Sequence, residues 1–337
     1  MNHKLAVATV SLGWHRSHTL ERKIEAAKSA GISGVELHDT DLNNFAKSHG
    51  MARLEAAAAV GKLCNRSNME IIAYGPFSNF EGEPTPLEGR LDTAREWMQI
   101  AHNLGTDVIQ IPANDSKAAI GEERVIITEL QALADLGRQQ DSPISFAYEA
   151  LAWSAHVADW EESLRVVQHV DRSNFGLCLD TYHVLARVWA DARAPSGLRP
   201  GGASALRDSV QRFLDSCPPE RIAYVQLSDA ERQRPPLLPG HPAYAADQDC
   251  TRSWCLYGRL FPYETEKGAY LPMDDILRAW LLDKKWSGWV SMEVFHRNMA
   301  EESMVSELWA ERARTSWDRV VQVLQKHAQQ QTTDMQQ

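Results

Sequence analysis

The chain has 337 residues, 24% charged and 44% hydrophobic with 19 Gly and 15 Pro, a globular balance that excludes disordered, collagenous and fibrous classes. Its 35 Lys+Arg against 45 Asp+Glu leave a net charge of −10, which argues against a broad phosphate-binding face, so no nucleic-acid partner is expected. Five Cys without a C-x-x-C pair, an opening stretch that carries His15, Arg16 and His18 where a leader would be apolar, and no bilayer-spanning apolar run point to a cytoplasmic protein with reduced thiols and no membrane partner.

Along the chain, a short apolar, β-branched run, a loop and a helically spaced segment recur eight times. The predicted strands are 5–12, 33–37, 70–74, 107–111, 144–149, 175–180, 222–226 and 289–293. Between the first two, Leu20, Ile24 and Ala27 form a stripe that stops at Gly31; between the third and fourth, Leu87, Leu91, Ala94, Met98, Ala101 and Leu104 share one helical face up to Gly105. Strands with little internal polarity suit a parallel sheet covered on both faces, and eight βα units are the number that closes into a barrel. The sequence therefore predicts a single (β/α)8 TIM barrel over residues 1–326; an open doubly wound sheet would carry a G-x-G-x-x-G turn after its first strand, and none is present. Two connections are long, 187–203 after the sixth strand and 229–271 after the seventh, and in a barrel both reach the C-terminal mouth where active sites are built. The polar, Gln-rich tail 327–337 is expected to be disordered.

Strands five to eight each end in an oxygen donor directly after apolar residues: Phe146-Ala147-Tyr148-Glu149, Leu177-Cys178-Leu179-Asp180, Ala223-Tyr224-Val225-Gln226 and Val290-Ser291-Met292-Glu293. In a barrel these ends converge on one mouth, and three carboxylates brought together repel unless a cation sits between them. Glu149, Asp180, Gln226 and Glu293 form a hard, thiolate-free donor set that suits Mg²⁺ or Mn²⁺, with Co²⁺ or Zn²⁺ left open. His183, three residues beyond Asp180, could face the same cavity with a side chain suited to proton transfer. Arg259, inside the longer loop, could offer a planar fork to a carboxylate or phosphate.

The segments FAYEALAW, CLDTYH, YVQLSDAER and GWVSMEVFHR carry a resemblance that extends through IIAYGPFSNFEG, GTDVIQIPAN and GRLFPYETEKGAYLP, and so covers most of the chain. Through them the chain resembles the sugar phosphate isomerase/epimerase superfamily with its xylose-isomerase-like barrel and, within it, the fungal and bacterial 3-dehydroshikimate dehydratases. That resemblance implies one divalent cation on Glu149, Asp180, Gln226 and Glu293, with the Gln marking the dehydratase branch where isomerases and epimerases use His. It implies proton transfer by His183 with Glu149 or Glu293 and a substrate contact from Arg259; Tyr74 and Asn114, in the loops and strand ends around the mouth, are further substrate-binding candidates. The activity implied is a carbon–oxygen lyase of quinate/shikimate catabolism that converts 3-dehydroshikimate to protocatechuate through an enolate-like intermediate. The alternative is a ketose or sugar-phosphate isomerase or 3-epimerase on the same metal site. Either way the partner is a small polyhydroxylated carbonyl compound, and the oligomeric state, including a homo-oligomer, stays open. A repair endonuclease fits poorly because its multinuclear zinc site needs several His at strand ends, and the complete donor quartet disfavours a barrel without turnover.

Overall fold

The computed structural model describes residues 2–334, and in it all eight apolar runs become parallel strands. They are β1 (Lys4–Ala8), β2 (Gly34–His38), β3 (Glu70–Gly75), β4 (Val108–Pro112), β5 (Ser145–Glu149), β6 (Phe175–Asp180), β7 (Ile222–Leu227) and, after the short strands β8 (Asp229–Ala230) and β9 (Arg259–Leu260), β10 (Trp289–Met292). Parallel pairing runs β1-β10-β7-β6-β5-β4-β3-β2, and β1 also pairs with β2, which closes the barrel. Branched side chains such as Val7, Val35, Ile109 and Leu177 face outward into the large core shared with the surrounding helices, while Ala6, Ile72, Ala73, Ala147, Cys178 and Tyr224 fill the barrel interior. The alanines among them leave room for the polar groups that cap the barrel at its C-terminal end, and Tyr224 reaches up to one of these, Glu36.

The first strand is shorter than the apolar run suggests. Extended pairing stops at Ala8, and Thr9–Leu12 forms a single 3-10 turn. Hydroxyls make that turn possible: Ser11 Oγ donates to Val294 O and accepts from Val294 N, and Thr9 Oγ1 accepts from His38 N, so neighbouring backbone groups are satisfied without a ladder. At the other end of the chain, helix Ser306–Asp334 continues through residues 327–334 of the tail expected to be disordered, and 335–337 lie outside the described residues. The segment has neither Gly nor Pro, and Gln, Lys and Ala are good helix formers, so a helix packed at its start simply propagates. Among the described residues no helix is long and apolar enough to cross a membrane.

The long connection after β7 is built, not structureless. It holds the antiparallel ribbon β8–β9 and the helix Cys250–Gly258, and its return is pinned by Asp229, whose buried carboxylate accepts backbone N–H bonds from Ala230, Tyr263, Tyr270 and Leu271. Since a hydrogen bond to a charged group contributes about 1.5–3 kcal/mol, Asp229→Ala is expected to lower stability by at least that amount, read as a shift of the denaturant midpoint. An unchanged midpoint would mean the insertion is held by other contacts.

Candidate active site

Above the C-terminal ends of the strands lies a cavity of about 290 Å³, lined on its polar side by Glu36, His38, Gln110, Glu149, His183, Arg259 and Glu293, and elsewhere by Leu151, Trp153, Leu256 and Phe295. The four predicted donors converge here as barrel closure requires, although Asp180 and Gln226 lie just beneath the lining. Asp180 closes β6 and caps the following helix Thr181–Val188, its Oδ1 accepting from the Tyr182 N–H at 2.5 Å and the His183 N–H at 3.4 Å. That cap turns the chain so that His183, the third residue of the helix, points back toward β5. Ligand atoms of Glu149, Asp180 and His183 all come within 4.8 Å of one another, and all three residues are buried.

His183 is held in one tautomer. Its Nδ1 accepts the Ala152 N–H at 3.0 Å, so in the neutral ring the proton sits on Nε2, 3.5 Å from Glu149 Oε1. Burial lowers its pKa to about 4 against the opposing pull of Asp180, which keeps the ring neutral at physiological pH. Glu149 is raised well above the usual carboxylate range, first by burial and then by the negative neighbours Glu293, Asp180 and Glu36. Its Oε2 accepts from Gln110 Nε2, while Oε1 is buried and makes no hydrogen bond among the described residues.

Arg259 occupies a position different from the free fork its loop suggests. It is completely buried, and all five N–H groups are engaged: Nε with Ser228 Oγ at 2.9 Å, Nη2 with Ser228 Oγ at 2.7 Å and Asp180 Oδ2 at 2.5 Å, Nη1 with Glu293 Oε2 at 3.1 Å and Cys255 Sγ at 3.7 Å. The rings of Tyr182 and Phe295 flank it at 5.0 and 5.4 Å. Burial works against its charge, but Asp180 and Glu293 more than offset this and push its pKa upward. Arg259 is thus the counter-charge of two strand-end carboxylates.

Sequence reasoning missed Glu36 and Gln110, and two of its candidates, Tyr74 and Asn114, lie outside the cavity with their side chains turned to other partners. Glu36, in β2, points into the barrel, accepts from Tyr224 Oη at 2.5 Å and Gln226 Nε2 at 2.8 Å, and leaves Oε2 buried without a partner; burial raises its pKa. Gln110, in β4, braces Glu149. The available signal was a lone polar residue between apolar neighbours, Val35-Glu36-Leu37 and Ile109-Gln110-Ile111, which an inward-facing side chain explains. Tyr74 faces the other way. β3 carries an extra residue opposite the Val35/Glu36 step, so Ala73 pairs with Glu36 and Tyr74 with Leu37, on the outer face. There Tyr74 stacks on Trp97 with ring centroids 4.6 Å apart and bonds Asp39 and Arg53; its neighbours Gly75 and Pro76 line the cavity instead. Asn114 fixes the wall from behind, its backbone N–H donating to Glu81 Oε1 at 2.7 Å and its amide to Glu81 O at 2.8 Å.

The site fits a divalent cation on its own chemistry. Four carboxylates, Glu36, Glu149, Asp180 and Glu293, face a single guanidinium and a neutral imidazole, and two carboxylate oxygens are buried without partners. A positive ion would relieve both the repulsion and the orphaned oxygens. Gln226 presents Nε2 to Glu36 and to Glu293 Oε1 at 3.2 Å and accepts from Cys178 Sγ on Oε1, so service as an oxygen ligand requires its amide to turn over.

The family model described as xylose isomerase-like TIM barrel matches residues 24–326. A Neurospora crassa protein named 3-dehydroshikimate dehydratase is 39% identical over 341 residues, covering 96% of this chain and 95% of that one. A Pseudomonas aeruginosa protein of the same name is 32% identical over 258 residues, covering 76% of this chain and 33% of the relative, so the match spans about a third of that longer protein. Among solved structures, a xylose isomerase-like TIM barrel/4-hydroxyphenylpyruvate dioxygenase fusion protein superposes with a TM-score of 0.77 at 24% identity, covering 99% of this chain and 45% of the other, which bears on the fold alone. A closed barrel with its polar groups gathered at the strand ends, matched along nearly its whole length in this way, belongs to the xylose isomerase-like TIM barrel family and, within it, resembles the 3-dehydroshikimate dehydratases.

Proposed function

We propose that the protein is a divalent-metal-dependent dehydratase that converts 3-dehydroshikimate to protocatechuate. The observation that carries the reading is the juxtaposition of a neutral His183, its Nε2 proton fixed by the Ala152 N–H, with the unpartnered Oε1 of Glu149 at 3.5 Å in the floor of the cavity. A carboxylate and an imidazole so placed can take a proton from carbon and return one to oxygen. The substrate class, given by the name its relatives carry, has a ketone next to an acidic C–H, a β-hydroxyl and a carboxylate.

In this reading Glu149, Asp180, Gln226 and Glu293 hold the cation, and His183 works beside it. When bound, a divalent cation supplies Lewis-acid stabilisation of the negative charge that develops on the ketone oxygen. Glu149 and His183 move the proton: one group removes the hydrogen α to the ketone, and the leaving β-hydroxyl departs as water with a proton delivered from the same pair. Tautomerisation of the resulting dienone to the aromatic ring makes the step irreversible. Arg259 orients Asp180 and Glu293 through its two Nη groups, and Gln110 holds the carboxylate of Glu149 in place. Leu151, Trp153 and Phe295 supply the apolar wall that a flat six-membered ring can lie against.

The test is a substrate comparison on one preparation. Protein supplied with Mg²⁺ or Mn²⁺ is expected to form protocatechuate from 3-dehydroshikimate and to leave ketohexoses unchanged. Interconversion of a ketose pair with no protocatechuate would overturn the dehydratase reading in favour of an isomerase or epimerase.

A further inference from the structure

A substrate that carries a carboxylate needs a cationic partner, and the cavity is lined by two arginines. Arg259 is saturated: it has no N–H left to give without breaking its bonds to Asp180, Glu293, Cys255 or Ser228. Arg252 is not. It stands in the first turn of the insertion helix Cys250–Gly258, half exposed at the cavity wall, and its single protein partner among the described residues is Asp115 Oδ2, held by Nη1 at 2.8 Å. Asp115 is itself fixed by Trp153 Nε1 at 3.1 Å, so the guanidinium is anchored at one corner to a braced carboxylate in the cavity lining.

Anchoring through Nη1 leaves the Nε/Nη2 edge free. That edge is the one that grips a carboxylate with two parallel bonds. The same chain uses it elsewhere: Arg187 holds Asp159 through Nε at 2.8 Å and Nη2 at 3.1 Å, and Arg312 holds Glu264 through Nε and Nη2, both at 2.7 Å. At Arg252 the second half of such a pair is missing.

We propose that Arg252 holds the carboxylate of the substrate through its Nε/Nη2 edge, with Asp115 as the positioning residue that orients the guanidinium. The assignment rests on the dehydratase reading for the identity of the substrate and goes beyond it in naming the group that selects a carboxylated ring over a neutral one. It also gives the long insertion a task, because Arg252 reaches the cavity only through that helix.

The experiment compares Arg252→Gln and Arg252→Lys with the unaltered protein, each metal-loaded, on 3-dehydroshikimate and on its neutral methyl ester. Arg252→Gln is expected to raise KM for the acid about 10–100-fold with kcat little changed, since the lost contact is made equally in ground and transition states. KM for the ester should not respond, and Arg252→Lys should restore only part of the acid's affinity, because an ammonium lacks the planar fork. In parallel, calorimetry of protocatechuate against protocatechuate methyl ester reads the same preference without turnover. The unaltered protein should favour the acid and Arg252→Gln should not. A protein that fails to turn over 3-dehydroshikimate yet keeps an Arg252-dependent preference for the acid would end the dehydratase reading and leave the carboxylate site standing. Equal effects of Arg252→Gln on acid and ester, no effect on either, or no preference for the acid in the unaltered protein would overturn the assignment. The side chain is half exposed, and thermal melts of the variants should match the parent.

Discussion

Replacing Glu149 by Gln is expected to abolish metal-dependent turnover while leaving the metal-free protein at least as stable as the parent. The carboxylate is buried among Glu293, Asp180 and Glu36, has one oxygen without a partner, and is driven by burial and those neighbours toward its neutral form. A neutral amide of the same shape removes that penalty. Asp180→Ala should behave in the opposite way for stability, because Asp180 is the 2.5 Å partner of a fully buried Arg259 and the N-cap of the helix that carries His183. Leaving the guanidinium short of one charge partner costs about 3–5 kcal/mol, to which the lost cap adds about 1 kcal/mol. Both variants should be inactive, and denaturant unfolding in chelator should separate them. If Glu149→Gln retained activity, or if both variants lost stability equally, the contrast between an orphaned ligand and a charge-paired one would be wrong.

His183→Ala should lower kcat by about 10²–10⁴-fold, the range for losing a group that transfers a proton in the transition state, with kcat/KM falling in step. The variant also frees the buried Ala152 N–H, so a loss of about 1–3 kcal/mol in stability accompanies it. Because His183 lies within 4.8 Å of Glu149 and Asp180, the same variant distinguishes two roles. A proton-transfer group leaves the concentration of Mn²⁺ needed for half-maximal activity nearly unchanged. A rise of that concentration by orders of magnitude would make His183 a ligand instead.

How far the sequence carries depends on the kind of information each residue encodes. The eight strands were legible because a parallel sheet buried on both faces writes itself as short apolar runs, and the convergence of Glu149, Asp180, Gln226 and Glu293 followed from barrel closure once those runs were counted. The inward or outward facing of a residue depends on parity, and the added residue in β3 shifts it, which carries Tyr74 to the outer face against Trp97. Glu36 and Gln110 sit within strands rather than at their ends, so a search for terminal donors passes over them. Arg259 was found by its place in the long insertion, but its saturation by Asp180, Glu293, Ser228 and Cys255 is a three-dimensional fact with no trace in spacing. The turn at Thr9–Leu12 reads as strand because its residues are β-formers; only the hydroxyl bonds across to Val294 and His38 make the turn affordable.

The proposed dehydration depends on one divalent-metal site at the strand ends. It is tested most directly by stripping the protein with chelator, supplying 3-dehydroshikimate, and titrating Mn²⁺ while protocatechuate is followed by its absorbance and confirmed by NMR. The expected result is no product before addition and a rate that climbs to a plateau at one bound ion per chain, with Glu149→Gln flat throughout. Full turnover by the stripped protein, or a plateau that Glu149→Gln reaches as well, would contradict it.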